Sequence, residues 1–282
     1  MIDALVRSAP GQDHEALMAA CRPGVGLCTV VGIDGSFSRR LGAQLAVLPD
    51  GTTCGNLADG CLEAQLAADI ATLRSPRVIR YGRGSDRIDF RLPCGGGLDI
   101  LLDPRPDRAA CVAAMSDIMA RTPTALDLPV MSPLPRRRYL PPLRIAAFGE
   151  GPELAALARL AEAMRIEIDP HDKSALALGR PAPRAQFDRW TAVLLLFHDH
   201  EWELALLEQA LSSPAFFIGA QGGENARIAR TLALMERGVD EEAIARIRSP
   251  VGTIPSCKTP ATLALSALSQ IVGLYEGLHA SA

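Results

Sequence analysis

The first hundred residues combine short apolar runs with one helical segment. Apolar runs bounded by glycine, proline or aspartate predict strands at 26–33, 42–49, 77–81 and 97–104. Residues 58–73 carry apolar side chains at helical spacing, and Asp59 stands where it would cap the first turn of that helix. The pattern predicts an N-terminal α+β domain over residues 1–104.

A different pattern begins at residue 143, where strands and helices alternate. Buried strands are predicted at 143–149, 165–170, 190–197 and 215–220. Helices are predicted at 152–164, 201–211, 223–237, 240–247 and 260–278. Regular alternation implies parallel strands joined by right-handed crossovers. Residues 143–282 are therefore predicted to form a Rossmann-like, doubly wound parallel sheet, so the fold class is α/β.

A proline-rich segment separates the two patterns. Residues 105–142 hold most of the local proline, which interrupts regular elements. We predict a linker over 105–142, with a short helix at about 107–120.

Composition narrows the function classes. The chain has 282 residues, 48% of them hydrophobic, and a formal net charge of −3, so we expect no nucleic-acid partner. The N-terminus lacks a signal-peptide pattern and the pure apolar runs are shorter than a bilayer requires, which predicts a cytoplasmic protein with no membrane partner. The apolar segment 260–278 predicts a homodimer interface or, equally well, a helix buried within the monomer.

The strongest generic motif is a glycine-rich turn after the first strand of the second half. Gly149 and Gly151 separate that strand from a helix, and Asp169 closes the next strand. In dinucleotide-binding folds, such glycines form the turn that faces the pyrophosphate, and such an acid binds a ribose hydroxyl. The motif therefore makes NAD(P) a candidate cofactor.

Four neighbouring residues oppose cofactor binding at this turn. Leu154 replaces the third glycine, and Pro152 removes one N–H from the helix start. Glu150 and Glu153 place negative charge where phosphate would bind. The alternative is a Rossmann fold that keeps the turn and has lost or weakened its nucleotide.

Two further segments follow predicted strands of this half. His198 and His200 lie two residues apart in a loop, where both would face a ligand or metal. A solvated loop explains the same pattern. Gly222 belongs to a glycine-rich turn that would admit a ligand to the backbone or serve only as a flexible turn.

The N-terminal half carries a basic, hydroxyl-rich loop. Ser36, Arg39 and Arg40 lie between the first two predicted strands. Hydroxyl and guanidinium groups suit a phosphate or a carboxylate.

Cysteines of the same half stand in unusual positions. The seven cysteines of the chain are scattered without a CxxC pair, which argues against disulfides and structural zinc. Cys61 falls in the first turn of a predicted helix, where the dipole favours a thiolate. Cys94 precedes a glycine run that includes Gly95 and Gly96 and lets a ligand approach closely. Each cysteine alone is also compatible with a small buried residue.

The chain resembles the XdhC/CoxI family in the order of its motifs, which are GSFSRRLGAQLAVLPDG, GNLADGCLEAQ, CGGG, FGEG, FHDH, IGAQGG and SPVGTIPSCKTPATLALSAL. The family comprises maturation factors of xanthine dehydrogenase and related molybdenum hydroxylases. The resemblance implies a chaperone that binds molybdenum cofactor (molybdopterin) and passes it to an apo-hydroxylase, rather than a turnover enzyme. It also implies a cysteine desulfurase as a further partner.

Several positions depart from the family pattern and indicate a divergent member. Asp59 stands where the family usually has glycine, and Pro152 stands where it often has histidine. Glu203 replaces an aspartate, and Glu224 falls where a Gly-Ser-Arg segment is usual. Most departures lie in the second half, which places the nucleotide-like site there in question.

We hypothesise from this resemblance that Cys61 faces the cofactor, as a molybdenum ligand or as a sulfur relay, with Glu63 and Cys94 nearby. Arg39 or Arg40 would bind the phosphate, and the glycine-rich loop would accept the planar ring. Two alternatives remain open, an NAD(P)-dependent oxidoreductase and a protein-only scaffold of the maturation complex.

Overall fold

The chain divides after Pro141 into two units, each with its own sheet. The structure is a computed structural model that describes residues 14–58, 60–85, 95–129 and 132–280. Asp59, the predicted helix cap, lies outside the described residues.

The first unit is built on an antiparallel five-stranded sheet. Its strands are β1 (Gly26–Asp34), β2 (Gln44–Val47), β3 (Thr53–Cys54), β4 (Arg77–Gly82) and β5 (Gly97–Asp103). Their order is β3-β2-β1-β5-β4, so β1 lies at the centre. The predicted strands of this half are all present, with 42–49 shortened to the four residues of β2.

Helices cover both faces of this sheet. They are α1 (Glu15–Ala20), α2 (Cys61–Thr72) and α3 (Arg108–Met119). Side chains alternate between the faces along each strand: Cys28 packs with α2, whereas Leu27 packs with α1 and α3. Burial on both faces explains why β1, β2 and β5 are apolar over most of their length, whereas the strands β3 and β4 at the two edges are more exposed.

The segment predicted as a linker is folded and belongs to the first unit. It contains α3, which matches the predicted helix, and a hairpin of β6 (Thr124–Asp127) and β7 (Arg136–Tyr139). The prolines fall between these elements, so they shape the turns and leave the helix and strands intact.

A buried hydrogen-bond chain fixes this hairpin to the sheet. The Tyr139 hydroxyl donates to Gln44 Oε1 at 2.7 Å, and Gln44 Nε2 donates to Thr29 Oγ1 at 3.0 Å. All three side chains are buried, so each bond satisfies a polar group that water does not reach.

The second unit is a parallel five-stranded sheet. Its strands are β8 (Arg144–Gly149), β9 (Glu167–His171), β10 (Thr191–Leu196), β11 (Phe217–Ala220) and β12 (Ile247–Arg248). They are ordered β12-β11-β10-β8-β9, with every pairing parallel. The chain leaves β8 to one side for β9 and returns to the other side for β10, which creates a topological switch point. The predicted doubly wound, Rossmann-like sheet is confirmed.

The helices of this unit are α4 (Gly151–Ala163), α5 (Leu204–Leu211), α6 (Glu224–Glu236), α7 (Glu241–Ala245) and α8 (Pro260–Ala280). Within the described residues, only Pro260–His279 is long and apolar enough to cross a membrane by length and composition. In the structure this helix packs against α4 and contributes Ala267, Leu268 and Ile271 to the core of its own unit.

We predict that Tyr139→Phe destabilises the first unit. The change leaves Gln44 Oε1 buried without its donor, which costs about 1–3 kcal/mol. Native-state hydrogen exchange of the β1 amides will measure the loss of opening free energy. Thr124→Val is the matched control, because Thr124 pairs with Tyr139 in the hairpin but donates to Asp117 at the exposed surface. If the β1 amides are equally protected from exchange in Tyr139→Phe and in Thr124→Val, the hydrogen bond from Tyr139 does not stabilise the sheet.

Candidate functional site

A buried carboxylate organises the loop that precedes α2. Glu63 Oε1 accepts hydrogen bonds from the backbone N–H groups of Leu57 at 2.9 Å and Ala58 at 2.5 Å. Glu63 Oε2 accepts from the N–H of Gly60 at 2.9 Å, and the side chain is only 7% exposed. Gly60 adopts φ 100°, a conformation that favours glycine. One side chain thus binds three backbone N–H groups of the loop.

The ionised form of Glu63 is the stable one in this loop. Burial raises the pKa of the carboxyl, but the backbone hydrogen bonds, foremost that from Ala58, outweigh burial and hold the pKa of Glu63 below its ordinary value. Both oxygens are engaged by the protein backbone. Glu63 as a cofactor contact stays a prediction, and its observed contacts are those of a residue that positions the loop.

Cys61 is the first residue of α2 and is exposed. Cys28 and Cys111 are buried instead, and burial raises the pKa of Cys28 to about 12 and that of Cys111 to about 11. Those two thiols are packed core groups, which is the alternative that the sequence left open for every cysteine. Cys61 has the accessibility that a ligand or nucleophile requires.

Arg39 connects the basic loop to the loop in front of Cys61. Its Nε donates to the backbone oxygen of Asn56 at 3.2 Å, and its Nη2 donates to the Asn56 side-chain oxygen. The third contact is to the backbone oxygen of Ser38. These partners are all neutral, so the positive charge of an exposed guanidinium stays available to an anion.

The glycine loop, which contains Gly95 and Gly96, lies beside the start of the basic loop that contains Ser36, Arg39 and Arg40. A Cβ placed on Gly35 would lie 3.5 Å from the Cα of Gly96, so the two loops are in contact at the same end of the sheet. Ser36 is exposed next to this contact, and Gly95 adopts φ 68°. The structure thus brings Ser36 close to the glycine loop, and Arg39 close to the loop before Cys61. Cys94 lies outside the described residues.

Charges that the sequence did not single out fix this end of the sheet. Asp34 accepts from Arg80 at 2.9 Å and from Arg83 at 2.6 Å. The hydrogen bond from Arg83, followed by the charges of both arginines, holds the pKa of Asp34 below its usual range. Arg80 also binds Asp99 at 3.0 Å. Arg40 is half-buried and, unlike Arg39, presents less of its side chain to solvent.

In the second unit, the predicted glycines and histidines lie at or just beyond the carboxyl ends of their strands. Asp169 does not close its strand as predicted, because β9 continues to His171 and Asp169 is level with Ala146 in the middle of β8. A Cβ on Gly149 would lie 2.6 Å from the backbone oxygen of Leu196, so glycine permits the close approach of β8 and β10. Gly151 adopts φ 76° where α4 begins. The acid predicted to bind a ribose is already engaged, since Asp169 Oδ2 lies 2.8 Å from His171 Nε2.

The two histidines of the predicted pair face different carboxylates. His198 Nε2 lies 3.7 Å from Glu153 Oε2, and His200 Nδ1 lies 3.2 Å from Glu203 Oε1. A Cβ on Gly222 would lie 3.3 Å from the His200 ring, so the predicted His200 and Gly222 are neighbours. Within the described residues, no three His, Cys, Asp or Glu side chains are grouped to hold a metal.

Two cations missed by sequence reasoning organise this edge. Arg230 is buried and binds Glu203 Oε2 at 2.8 Å, the Gln221 backbone oxygen at 2.9 Å and Ser249 Oγ at 2.8 Å. Lys173 Nζ lies 2.8 Å from Glu150 Oε1. The burial of Arg230 could have been predicted from the sequence, because residues four apart share one side of a helix and Leu234 lies on the buried side of α6.

We predict that Glu63→Gln loosens the loop before Cys61. An amide offers one acceptor oxygen where the carboxylate offers two, so the N–H groups of Leu57, Ala58 and Gly60 will exchange faster with deuterium. Because the folded-state pKa of Glu63 is lowered, its stabilisation is complete above the ordinary glutamate pKa. That stabilisation is lost as the pH falls through the lowered value. The protection lost in the variant will therefore be greatest near neutral pH and will vanish in acid.

Hydrogen exchange of the peptide 55–62 measures this effect. Asp50→Asn is the control, because it removes an acid of a separate turn in the same unit, where Asp50 accepts from Thr52. Unchanged exchange of 55–62 in Glu63→Gln at neutral pH would refute the role of the carboxylate.

Two family models match the chain. The model of the XdhC and CoxI family matches residues 19–82, which include β1, the basic loop and Cys61. The model of the XdhC Rossmann domain matches residues 145–271, which include all the candidate site residues of the second unit, namely Gly149, Gly151, Asp169, His198, His200 and Gly222.

The chain is also similar to characterised and solved proteins over most of its length. It is 33% identical to the molybdenum cofactor insertion chaperone PaoD of Escherichia coli (strain K12), with 92% of this chain and 86% of that protein covered. A solved protein from Bacillus halodurans, described as a xanthine dehydrogenase, superposes with a TM-score of 0.72 at 18% identity, over 95% of this chain and 96% of that one. The similarity to the Bacillus halodurans protein shows the fold alone. The identity to PaoD, together with the two family models, shows that the chain belongs to the XdhC and CoxI family.

Proposed function

We propose that this protein binds molybdenum cofactor through its first unit and delivers it to an apo molybdenum hydroxylase of the xanthine dehydrogenase type. The observation that carries the proposal is the exposed thiol of Cys61 at the start of α2. The loop that precedes it in the chain is fixed by hydrogen bonds to Glu63. The insertion chaperone PaoD, at 33% identity, supports the same class of role.

The chemistry of the loop suits this cargo. A thiolate is a soft ligand, and soft ligands suit the sulfur-rich molybdenum centre of the cofactor. The exposed Arg39, whose partners are neutral, would bind the cofactor phosphate. Gly95 and Gly96 would lie against the planar pterin, because no side chain separates the ring from the backbone there. Ser36, Arg40 and Cys94 stay predictions as further contacts.

The partners we propose are the apo-hydroxylase and a cysteine desulfurase that supplies the terminal sulfur of the cofactor. The protein would act as a carrier, and we place it in the cytoplasm. The homodimer predicted from segment 260–278 stays a prediction. One side of α8 packs in the core of its own unit through Ala267, Leu268 and Ile271, whereas Leu265 and Leu274 are exposed.

An NAD(P)-dependent oxidoreductase is the second candidate, and the turn formed by Gly149 and Gly151 favours it. Three features of the site oppose the binding of a dinucleotide. Asp169 is bound to His171, Pro152 occupies the first turn of α4 without an N–H, and Glu153 places a carboxylate in the same turn. We therefore rank the carrier first.

We predict that Cys61→Ser loses cofactor binding. An anaerobic titration of the purified protein with molybdenum cofactor, followed by optical absorbance, will show stoichiometric uptake by the parent. Uptake will be at least roughly tenfold weaker in the variant, because an alcohol is a poor substitute for a thiolate on a soft metal. Cys257→Ser is the matched control, since Cys257 is a partly exposed thiol in the other unit.

Two outcomes would count against the carrier. Equal uptake by Cys61→Ser, together with unchanged activation of a client hydroxylase, would remove Cys61 from the site. No uptake by parent or variants, together with retained capture of an apo-hydroxylase, would favour the protein-only scaffold.

A further inference from the structure

A cavity of about 50 Å³ lies in the first unit, on the face of the sheet that α1 and α3 cover. Its floor is formed by side chains of the central strands β1 and β5, which are Leu27, Thr29, Leu101 and Asp103. Its walls come from the start of α3, from the end of β6 and from the residues that follow β6. Part of this lining is exposed, so the cavity reaches the surface.

The floor of the cavity holds a carboxylate oxygen that lacks a donor. Asp103 is only 8% exposed, and its side chain lines the cavity. Its Oδ1 accepts a hydrogen bond from the backbone N–H of Arg105 at 3.0 Å, whereas Oδ2 receives none within the described residues. Burial raises the pKa of this carboxyl, and the bond from Arg105 offsets only part of that effect. An acceptor held in this way is stabilised by any ligand that brings a donor.

A hydroxyl group stands next to this carboxylate. Thr29 lies opposite Leu101, and Leu27 lies opposite Asp103, so Thr29 and Asp103 are diagonal neighbours on one face of the sheet. Thr29 Oγ1 accepts from Gln44 Nε2 at 3.0 Å, and a hydroxyl oxygen has two lone pairs. The floor therefore offers a carboxylate oxygen and a hydroxyl oxygen to one donor group.

The rim of the cavity is acidic. Asp107 and Asp127 are exposed members of the lining; Asp107 caps α3, and Asp127 pairs with Arg136 at 2.6 Å. Arg105 and Arg108 are exposed in the same stretch of chain but do not line the cavity. The described lining thus contains carboxyl groups and no cationic side chain, which favours a positively charged ligand.

The size of the cavity and its single free oxygen select the kind of cation. A volume of about 50 Å³ accommodates roughly three to five groups the size of a water molecule. Leucine and proline side chains form much of the wall, which suits a short alkyl stem. A guanidinium binds a carboxylate through both oxygens, but Asp103 Oδ1 is already engaged by Arg105. An ammonium is a compact charge that needs only one of them.

We propose that this cavity binds a primary ammonium group on a short alkyl stem, the chemistry that a lysine side chain and a free alkylamine share. The ammonium donates to Asp103 Oδ2 and Thr29 Oγ1, and the stem packs against the leucines of the wall. The site lies on the face of the sheet opposite to α2, which begins at Cys61, so the inference does not rest on the proposed function.

NMR titration of the full-length protein with n-propylammonium chloride tests the charge requirement. The backbone amide shifts of Thr29 and Asp103 will change saturably. Propan-1-ol is the neutral probe of the same size, and it will bind at least roughly tenfold more weakly, a difference of about 1.4 kcal/mol. Asp103→Asn will weaken propylammonium binding by a similar factor. Asp50→Asn is the matched control, because it removes one acid from an exposed turn of the same unit.

A second pair of variants tests the cavity without changing its charges. Ala110 lines the cavity, whereas the preceding Ala109 is exposed and does not. Ala110→Leu fills the space and will abolish the saturable shifts, and Ala109→Leu will bind propylammonium as the parent does. Thermal unfolding verifies that each variant is folded, and this pair decides the matter if Asp103→Asn does not fold.

Two further probes distinguish the sources of the ammonium group. Tighter binding of Nα-acetyl-lysine methylamide than of propylammonium identifies a lysine side chain presented by a polypeptide. Tighter binding of putrescine identifies a free diamine, whose second ammonium reaches the acids of the rim.

Three outcomes would overturn the inference. They are no saturable shift with propylammonium, in which case the cavity holds water only, equal affinity for propan-1-ol, and equal binding by Ala110→Leu and Ala109→Leu. The proposed function is tested separately, because Cys61→Ser should leave ammonium binding unchanged. A protein that takes up molybdenum cofactor through Cys61 but binds no propylammonium would keep the proposed function and lose this inference.

Discussion

A carboxylate taken out of water must receive hydrogen bonds, and in this protein that constraint shapes the loop that carries the candidate chemistry. Glu63 satisfies it with three backbone N–H groups from residues 57, 58 and 60. The backbone of this segment then has little freedom, and α2 begins with Cys61 at the surface. Arg39 is bonded to Asn56 of the same loop, so a thiol and a guanidinium are held by one local network.

The second unit meets the same constraint with a cation. Glu203 is fully buried and is paired with the buried Arg230, whose remaining donors bind the Gln221 backbone and Ser249. Removing either partner would leave an uncompensated buried charge, which is strongly destabilising. The pair therefore fixes the ends of β10 and β11.

Much of the fold follows from local patterns in the sequence. The strand and helix alternation after residue 143 predicts the parallel sheet, and the short apolar runs before residue 104 predict the antiparallel one. The segment 105–142 misleads because its proline content suggests a linker, whereas the prolines stand in turns between α3, β6 and β7. Its attachment through Tyr139 and Gln44 joins residues 95 positions apart, a contact that no local pattern contains.

The candidate site was predictable as a set of segments but not as a set of contacts. The accessibility of Cys61 agrees with its predicted place in a helix start, and Gly149 and Gly151 form the expected turn. The engagement of Glu63 by the backbone and of Asp169 by His171 depends on geometry that spacing alone does not determine. Lys173 and Arg230 were missed because their partners come from other strands and helices.

In the function we propose, Cys61 binds the molybdenum of a carried cofactor. X-ray absorption at the molybdenum edge, on anaerobically loaded protein, tests it at the metal itself. We expect one additional sulfur neighbour of molybdenum in the parent relative to cofactor held by Cys61→Ser, and the same spectrum for Cys257→Ser as for the parent. Identical molybdenum environments in the parent and in Cys61→Ser would contradict it.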